Sequence, residues 1–590
     1  MRTFSRPRIG EAVSIAVLSS LLAAPALASC TVPTSDLAGL WSEQIALGPL
    51  LQGVLTIDGR AGTLTSDIAG MHIQGQNRNG TLSFAFPAGQ GTFRGTLLAN
   101  RTIEGFWRQP MPMRSIYRFA SPVVLTEADR DVWQGLIAPL PDRIAIYLRI
   151  SGDNNGKLTA FFRDSDADLN GGKLFSVRCD GTRLTLVNRS DPKDILNAEI
   201  HPDSKQISLR MPLDNATLTF DLSKTEPEIA NAFFAVVPGS AVYHYKRPLS
   251  GRDGWATVDA SEVGMDSERL AAAVRSVRET QISDSAAPHI QALAVARHQR
   301  LVLDEYFFGF TPDETHDLRS TGKSFATALV GIALGSHPEL KLDDPILPLL
   351  KQYHPKNMDA RKARLTLRSL MTMTSGLDCD DGNRESRGRE MTLFSQTAEP
   401  DYYAYTLNLP MVREPGGPHA VYCSAGMNLL GAVLKAITHE DLAVYFNEKM
   451  AHPLGFGNYQ LNLSPTGDVY LGGGLYLRAR DALKLGQVYL EKGMWQGKRI
   501  LDARWVQEST KVQSSYSSYH GYGLGWHVFN RLELNGHTYS EYETEGTGGQ
   551  LVVVIPVLDL AVTMLTANYS RDMTDPERAL LAQIVKSIQF

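Results

Sequence analysis

His316-Asp-Leu-Arg-Ser-Thr-Gly-Lys-Ser-Phe-Ala-Thr-Ala-Leu-Val-Gly-Ile-Ala-Leu334 joins a polar approach to a strongly apolar run. The pattern predicts the first turn of a buried helix, with Ser320 near its start. Ser320 and Lys323 are three residues apart, about one helical turn, so hydroxyl and amine share a face. A serine hydroxyl is a weak nucleophile until a base takes its proton. A lysine desolvated by an apolar helix has a lowered pKa and can be that base. The helix N-terminus also favours negative charge on the serine oxygen. A second Ser-x-x-Lys, Ser190-Asp-Pro-Lys193, contains proline and reads as a polar turn between strands. His316 lies four residues before Ser320 and is read as structural.

The chain has 590 residues, too many for one typical core, so at least two domains are expected. Its formal charge of -5 and its lack of long basic runs argue against a nucleic-acid partner. The 14 histidines are scattered, with no His-Glu-x-x-His and no paired Cys-x-x-Cys, so neither a metal nor an organic cofactor is expected. Residues 1–29 read as an export signal. Arg2, Arg6 and Arg8 precede the apolar stretch Ala12 to Ala24, and Ala26-Leu-Ala28 fits a cleavage site. No run reaches membrane-spanning length, so the expected location is the periplasm or outside the cell.

Four cysteines remain after export: Cys30, Cys179, Cys379 and Cys423. They allow three pairings. The favoured one keeps each bridge within a domain, Cys30 with Cys179 and Cys379 with Cys423. Leu27-Ala-Ser-Cys30 also fits a lipobox, so a lipid anchor at Cys30 in the envelope is the alternative.

Residues 30–245 read as all-β. Short alternating segments such as Gly53-Val-Leu-Thr-Ile57 and Thr81-Leu-Ser-Phe-Ala-Phe86 are separated by Gly, Asn and Asp turns. The region looks duplicated. Leu40-Trp41, Leu55-Thr-Ile57 and Gly62-Thr-Leu-Thr65 recur as Trp133-Gln-Gly135, Leu148-Arg-Ile150 and Gly156-Lys-Leu-Thr159, at offsets of about 92 to 94 residues. Two related β modules, barrels or sandwiches of lipocalin-like type, are expected, acting as spacers or binding accessories. Residues 246–259 read as a linker. Beyond them, helical patterns lie between a first strand pair and closing strands, with a helix at the C-terminus. That order predicts one antiparallel sheet with a helical insertion over 260–590.

The segment from about 255 to 590 resembles the serine β-lactamase and penicillin-recognising superfamily, in its class C-like branch with family VIII esterases, D-aminopeptidases and 6-aminohexanoate-oligomer hydrolases. The resemblance rests on Ser320-Thr-Gly-Lys323, then Leu365-Thr-Leu-Arg-Ser-Leu-Met-Thr-Met-Thr-Ser-Gly-Leu377, Gly426-Met-Asn-Leu-Leu-Gly431, Pro453-Leu-Gly455 and Gly472-Gly-Gly-Leu475. It implies Ser320 as nucleophile and Lys323 as base. The family's second motif, Tyr-x-Asn or Tyr-x-Ser, is matched by Tyr422-Cys-Ser424. It implies that Tyr422 shuttles protons, as a phenol partly ionised beside an ammonium, and that Ser424 hydrogen-bonds the lysine or the substrate. Tyr445-Phe-Asn447 and Tyr516-Ser-Ser518 also fit the pattern, but read as core packing and as a polar loop.

At the family's third motif, usually Lys-Thr-Gly, the sequence is Tyr542-Glu-Thr-Glu-Gly-Thr-Gly-Gly-Gln550. The resemblance implies that one of Gly546, Thr547, Gly548, Gly549 and Gln550 joins the Ser320 N–H in an oxyanion hole. No cation stands here, and Glu543 and Glu545 do, which disfavours an anionic β-lactam. The expected substrate is a small ester or amide, cleaved through a Ser320 acyl-enzyme. Two alternatives are a peptidase or amidase acting on D-amino-acid peptides of the cell wall, and a catalytically silent envelope binding protein.

Overall fold

Alternating apolar and polar side chains fold the first part of the chain into strands that trade partners. The computed structural model describes residues 30–589, apart from 47–50, 60–64, 69, 79, 112–116, 138, 141–142, 154–156, 165–171, 204, 214–215, 281–287, 535 and 570–573. The expected export segment lies outside the described residues, as do 62–64 and 156 of the repeat.

A closed barrel of eight strands comprises Gly39–Ala46, Arg143–Gly152, Leu158–Asp164, Lys173–Asp180, Arg183–Asn188, Ile195–His201, Gln206–Leu213 and Ala216–Lys224. Its first strand comes from the first repeat, with Trp41 opposite Leu148 on one side and Lys224 on the other. Reciprocally, the strand Val132–Ile137 opens the second repeat but joins the first unit, with Trp133 opposite Ile57 and Glu127. The two repeats have thus exchanged their first strands. Each exchanged tryptophan is buried, and each donates its indole N–H to a backbone oxygen, Trp41 to Leu37 at 2.8 Å and Trp133 to Arg101 at 2.9 Å. The barrel interior is a core of buried apolar side chains such as Ile146, Phe175 and Leu209.

The second half forms a nine-stranded sheet in the order Ala256–Thr257, Arg300–Tyr306, Ile290–Arg297, Leu560–Thr566, Gln550–Ile555, His537–Gly546, His527–Leu534, His520–Tyr522 and Ser514–Ser515. The helices Ser267–Arg278 and Thr574–Lys586 pack together against one face, burying Leu270, Val274, Leu581 and Ile584. On the other face, the helix Ala479–Leu490 places Gly486 directly over Val552. Between the first strand pair and the closing strands runs the helical insertion, with Gly322–Ser336 and Ser424–Thr438 at its centre. Between the strands His520–Tyr522 and His527–Leu534 the chain turns through Gly525, whose backbone is left-handed at φ 76°.

The N-terminal sheet does not stand apart as a spacer. Its strand Arg118–Asp129 pairs with Gln460–Leu463, which pairs with Leu475–Leu477, which pairs with His316–Asp317. Backbone hydrogen bonds therefore run from the N-terminal sheet to the strand that delivers Ser320. The stretch expected as a linker is anchored too. Thr257 pairs with Leu301, and Asp253 meets Arg480 at 3.2 Å. Disulfides join Cys30 to Cys179 and Cys379 to Cys423, the favoured pairing. Among the described residues, no helix is long and apolar enough to cross a membrane.

Candidate active site

Ser320 sits in a single tight turn, Arg319–Thr321, from which the buried helix Gly322–Ser336 departs. Arg319 carries a left-handed backbone at φ 48°. That conformation costs an L-residue about 1 kcal/mol and is held by Asp317, which accepts the Arg319 N–H at 2.9 Å and faces its guanidinium at 2.9 Å. Lys323 follows on the first turn of the helix and is 1% exposed. Its Nζ lies 2.8 Å from Ser320 Oγ and 4.8 Å from the centre of the Tyr422 ring. Burial pushes the Lys323 amine below its ordinary range, partly offset by the charges of Glu390 and Asp381. An amine so placed can be neutral, as a base must be. His316 is buried, with Nε2 2.6 Å from Gln291 Oε1, and burial holds its pKa near 4. It serves packing.

Tyr422 lines the same cavity as Ser320, and burial pushes its phenol far above the ordinary range, with the charges of Glu390, Asp381 and Glu545 pushing the same way. Against the expectation of a partly ionised phenol, a phenolate here would be desolvated and ringed by carboxylates, which favours the protonated form. Ser424 turns elsewhere than expected: its hydroxyl is fully buried and donates to Asp381 Oδ2 at 2.6 Å, as does its own N–H at 2.9 Å, rather than to Lys323. The Cys379–Cys423 bridge ties the Asp381 loop to this segment, and the Asp381 N–H donates to Tyr422 O at 2.9 Å.

Ser320 and Tyr422 line a cavity of about 370 Å³ with Gly546, Thr547, Gly548 and Gly549. Gln550 stands behind that wall. Its side chain is buried and bridges both backbone groups of Thr566, donating at 2.6 Å and accepting at 3.2 Å. Its side chain does not line the cavity. The wall is tied to the Ser320 turn by Thr321, whose hydroxyl donates to Gln550 O at 2.9 Å.

The far wall holds groups that the sequence did not suggest together. Glu541, Glu543 and Glu545 alternate along one strand and so share a face. Arg578 lies 2.6 Å from Glu541 and also pairs with Glu543, while Arg531 lies 3.0 Å from Glu543 and 3.8 Å from Glu545. Two cations thus reach the cavity, one from a neighbouring strand and one from the C-terminal helix. Three carboxylates face them. His527 also lines the cavity, 2.7 Å from His520, but burial holds its pKa near 4 and the ring is neutral. Tyr516, read from the sequence as loop, lines the cavity with its ring 6.3 Å from that of Tyr422. Tyr445 is buried in the core.

The beta-lactamase family profile matches residues 283–586, just over half of the chain. The chain belongs to the beta-lactamase family. A curated relative is the 6-aminohexanoate-dimer hydrolase of Paenarthrobacter ureafaciens, 24% identical over 222 residues, covering 37% of this chain and 56% of that protein. Among solved structures, a family VIII carboxylesterase aligns with a TM-score of 0.43 at 16% identity, over 57% of this chain and 99% of the other. A penicillin-binding protein homologue from Caulobacter crescentus aligns with a TM-score of 0.43 at 16% identity, over 55% and 99%. This beta-lactamase-family chain is a serine hydrolase. Its family domain carries the serine, lysine and tyrosine at one end of the cavity and the glutamate–arginine wall at the other.

Proposed function

We propose that this serine hydrolase is exported and cleaves small, uncharged esters or amides through an acyl-enzyme on Ser320. The observation that carries the proposal is Lys323 Nζ at 2.8 Å from Ser320 Oγ, buried against the Tyr422 ring beside a cavity. Neutral Lys323 takes the Ser320 proton as Oγ bonds to the substrate carbonyl carbon. The N–H of Ser320 and one N–H from Gly546 to Gly549 hold the resulting oxyanion. Tyr422 gives its proton to the leaving oxygen or nitrogen and is refilled from the Lys323 ammonium. The bond to the leaving group breaks, and water activated by the same groups then frees the acid. Export is supported by the two disulfides, which persist in oxidising compartments.

Exposure of the purified protein to a fluorophosphonate tests this reading. The expected result is one covalent adduct per chain, absent in Ser320→Ala. A folded wild-type protein that gains no adduct, or a Ser320→Ala variant that keeps it, overturns the assignment.

A peptidase or amidase acting on D-amino-acid peptides of the cell wall is the second reading. Arg531 and Arg578 on the cavity wall favour it, since a terminal carboxylate needs a cation. The three glutamates weigh against it, because they already answer both charges. Glu545 is the partner open to the cavity, its side chain 37% exposed. In Glu545→Gln, the ratio of kcat/KM for a succinate half-ester to that for a neutral ester of equal length should rise about tenfold, as expected for removal of one nearby charge at intermediate dielectric. An unchanged ratio would mean that this wall does not meet the acyl group.

A further inference from the structure

We propose that Asp381 is a positioning residue for Tyr422, holding its backbone where the phenol can meet the leaving group. The inference rests on the proposed role of Tyr422 as proton donor. Tyr422 stands in neither a helix nor a strand, so no ladder fixes its place. The backbone groups around it find partners in two other segments instead. Met373 takes two of them. The Val421 N–H donates to Met373 O at 2.8 Å, and the Cys423 N–H to Met373 Sδ at 3.4 Å. Asp381 takes two more. Its own N–H donates to Tyr422 O at 2.9 Å, and its Oδ2 accepts the Ser424 N–H at 2.9 Å along with the Ser424 hydroxyl at 2.6 Å. One residue thus grips the chain on both sides of Cys423.

Asp381 is itself fixed. The buried bridge from Cys379 to Cys423 ties its loop covalently to the same stretch. Its Oδ1 accepts the Glu390 N–H at 2.8 Å, where the short helix Glu390–Ser395 begins. Ser424 begins the helix Ser424–Thr438. One carboxylate therefore joins the first N–H groups of two helices, which have no partner within their own helix. Hydrogen bonds to an ionised oxygen are short and strong, so this joint is stiff. The Tyr422 ring is held by weaker means. Its centre lies 4.8 Å from Lys323 Nζ, 6.3 Å from the Tyr516 ring and 6.5 Å from the His527 ring. Such ring contacts do not set how far the phenol reaches into the cavity. The hydrogen bonds at Tyr422 O and Ser424 do, because they fix the backbone that carries it.

The test compares kcat/KM for the ethyl and 4-nitrophenyl esters of butanoic acid. This quantity reports acylation, the step in which the leaving group departs. Ethoxide needs a proton as it leaves and 4-nitrophenolate does not, so only the ethyl ester calls on Tyr422. Tyr422→Phe should lower the ethyl ester value by about 10²-fold and the 4-nitrophenyl value by no more than about threefold. Asp381→Ala should show the same selective loss, because a misplacement of about 1 Å costs about 10²-fold. Asp381→Asn serves if the alanine variant does not fold. It keeps the size, gives up one acceptor oxygen, and should show a smaller loss of the same selectivity. Asp381→Ala combined with Tyr422→Phe should be no slower than Tyr422→Phe alone. A loss shared equally by both esters, or one that multiplies with that of Tyr422→Phe, overturns the role of Asp381. A Tyr422→Phe enzyme with no selective loss overturns the proton-donor reading, and the inference with it. A folded wild-type protein that cleaves neither ester would instead sink the ester-hydrolase reading on which both depend.

Discussion

Lys323→Met is expected to cut ester turnover by about 10³- to 10⁴-fold, mostly in kcat. Methionine matches the length of the lysine stem and fits its buried slot, so the helix Gly322–Ser336 should keep its packing. Removing an amine that burial already pushes toward the neutral form leaves little charge energy to lose. What disappears is the acceptor 2.8 Å from Ser320 Oγ. Tyr422 offers no substitute, because its phenol rests protonated. Residues that act as one unit do not add, so Ser320→Ala with Lys323→Met should be no slower than Ser320→Ala alone. A Lys323→Met enzyme within tenfold of wild type, its fold checked by circular dichroism, would show that another group takes the proton.

The serine, lysine and tyrosine that meet at the cavity were legible in the sequence because each stands in a short local pattern. Ser320 and Lys323 share a helical turn, and Tyr422 precedes a helix by two residues. The glycine-rich wall was legible for a different reason, since glycines before a strand mark a close backbone approach. The inward turn of the Gln550 side chain was not legible, because alternation along a strand sends neighbouring side chains to opposite faces, and that face is fixed only by the sheet. The Ser424 hydrogen bond was not legible, because its partner, Asp381, lies 43 residues away across a disulfide loop. The alternation Glu541-x-Glu543-x-Glu545 was a visible signal for one charged face. The cations that answer it, Arg531 and Arg578, come from two other elements, and no spacing rule connects them.

The duplicated β region shows the same divide. Its repeat was visible as recurring tryptophans, but repetition says which segments are alike and not which ones pair. The exchange of first strands satisfies the same ladders and buries the same indoles as two separate units would. Its consequence lies in connectivity. The strand Arg118–Asp129 has one edge filled by Ile103–Arg108 and shares the other, pairing at 126–129 with the strand that opens the second repeat and at 118–120 with the hydrolase domain.

Gly546→Ala is expected to lower kcat by about 10²-fold, the size of losing one oxyanion donor, with little change in KM. Gly546 has an ordinary backbone, so the constraint is space. A Cβ there would meet Leu318 O at 2.3 Å and the Gln550 Cβ at 2.9 Å. The Leu318 carbonyl cannot yield easily. It accepts the Thr321 N–H at 3.1 Å, and the Leu318 N–H is bound to Leu475 O at 2.9 Å. The wall strand must therefore back away from the turn that holds Ser320, widening the gap between the two N–H groups that would share the oxyanion. Substrate binding along the rest of the cavity is left in place, which is why the loss should fall on kcat. Fluorophosphonate labelling should slow in parallel, because its phosphoryl oxygen needs the same two donors. A Gly546→Ala enzyme that keeps kcat within threefold while its thermal midpoint drops would place the glycine in the packing of the sheet and move the second donor elsewhere.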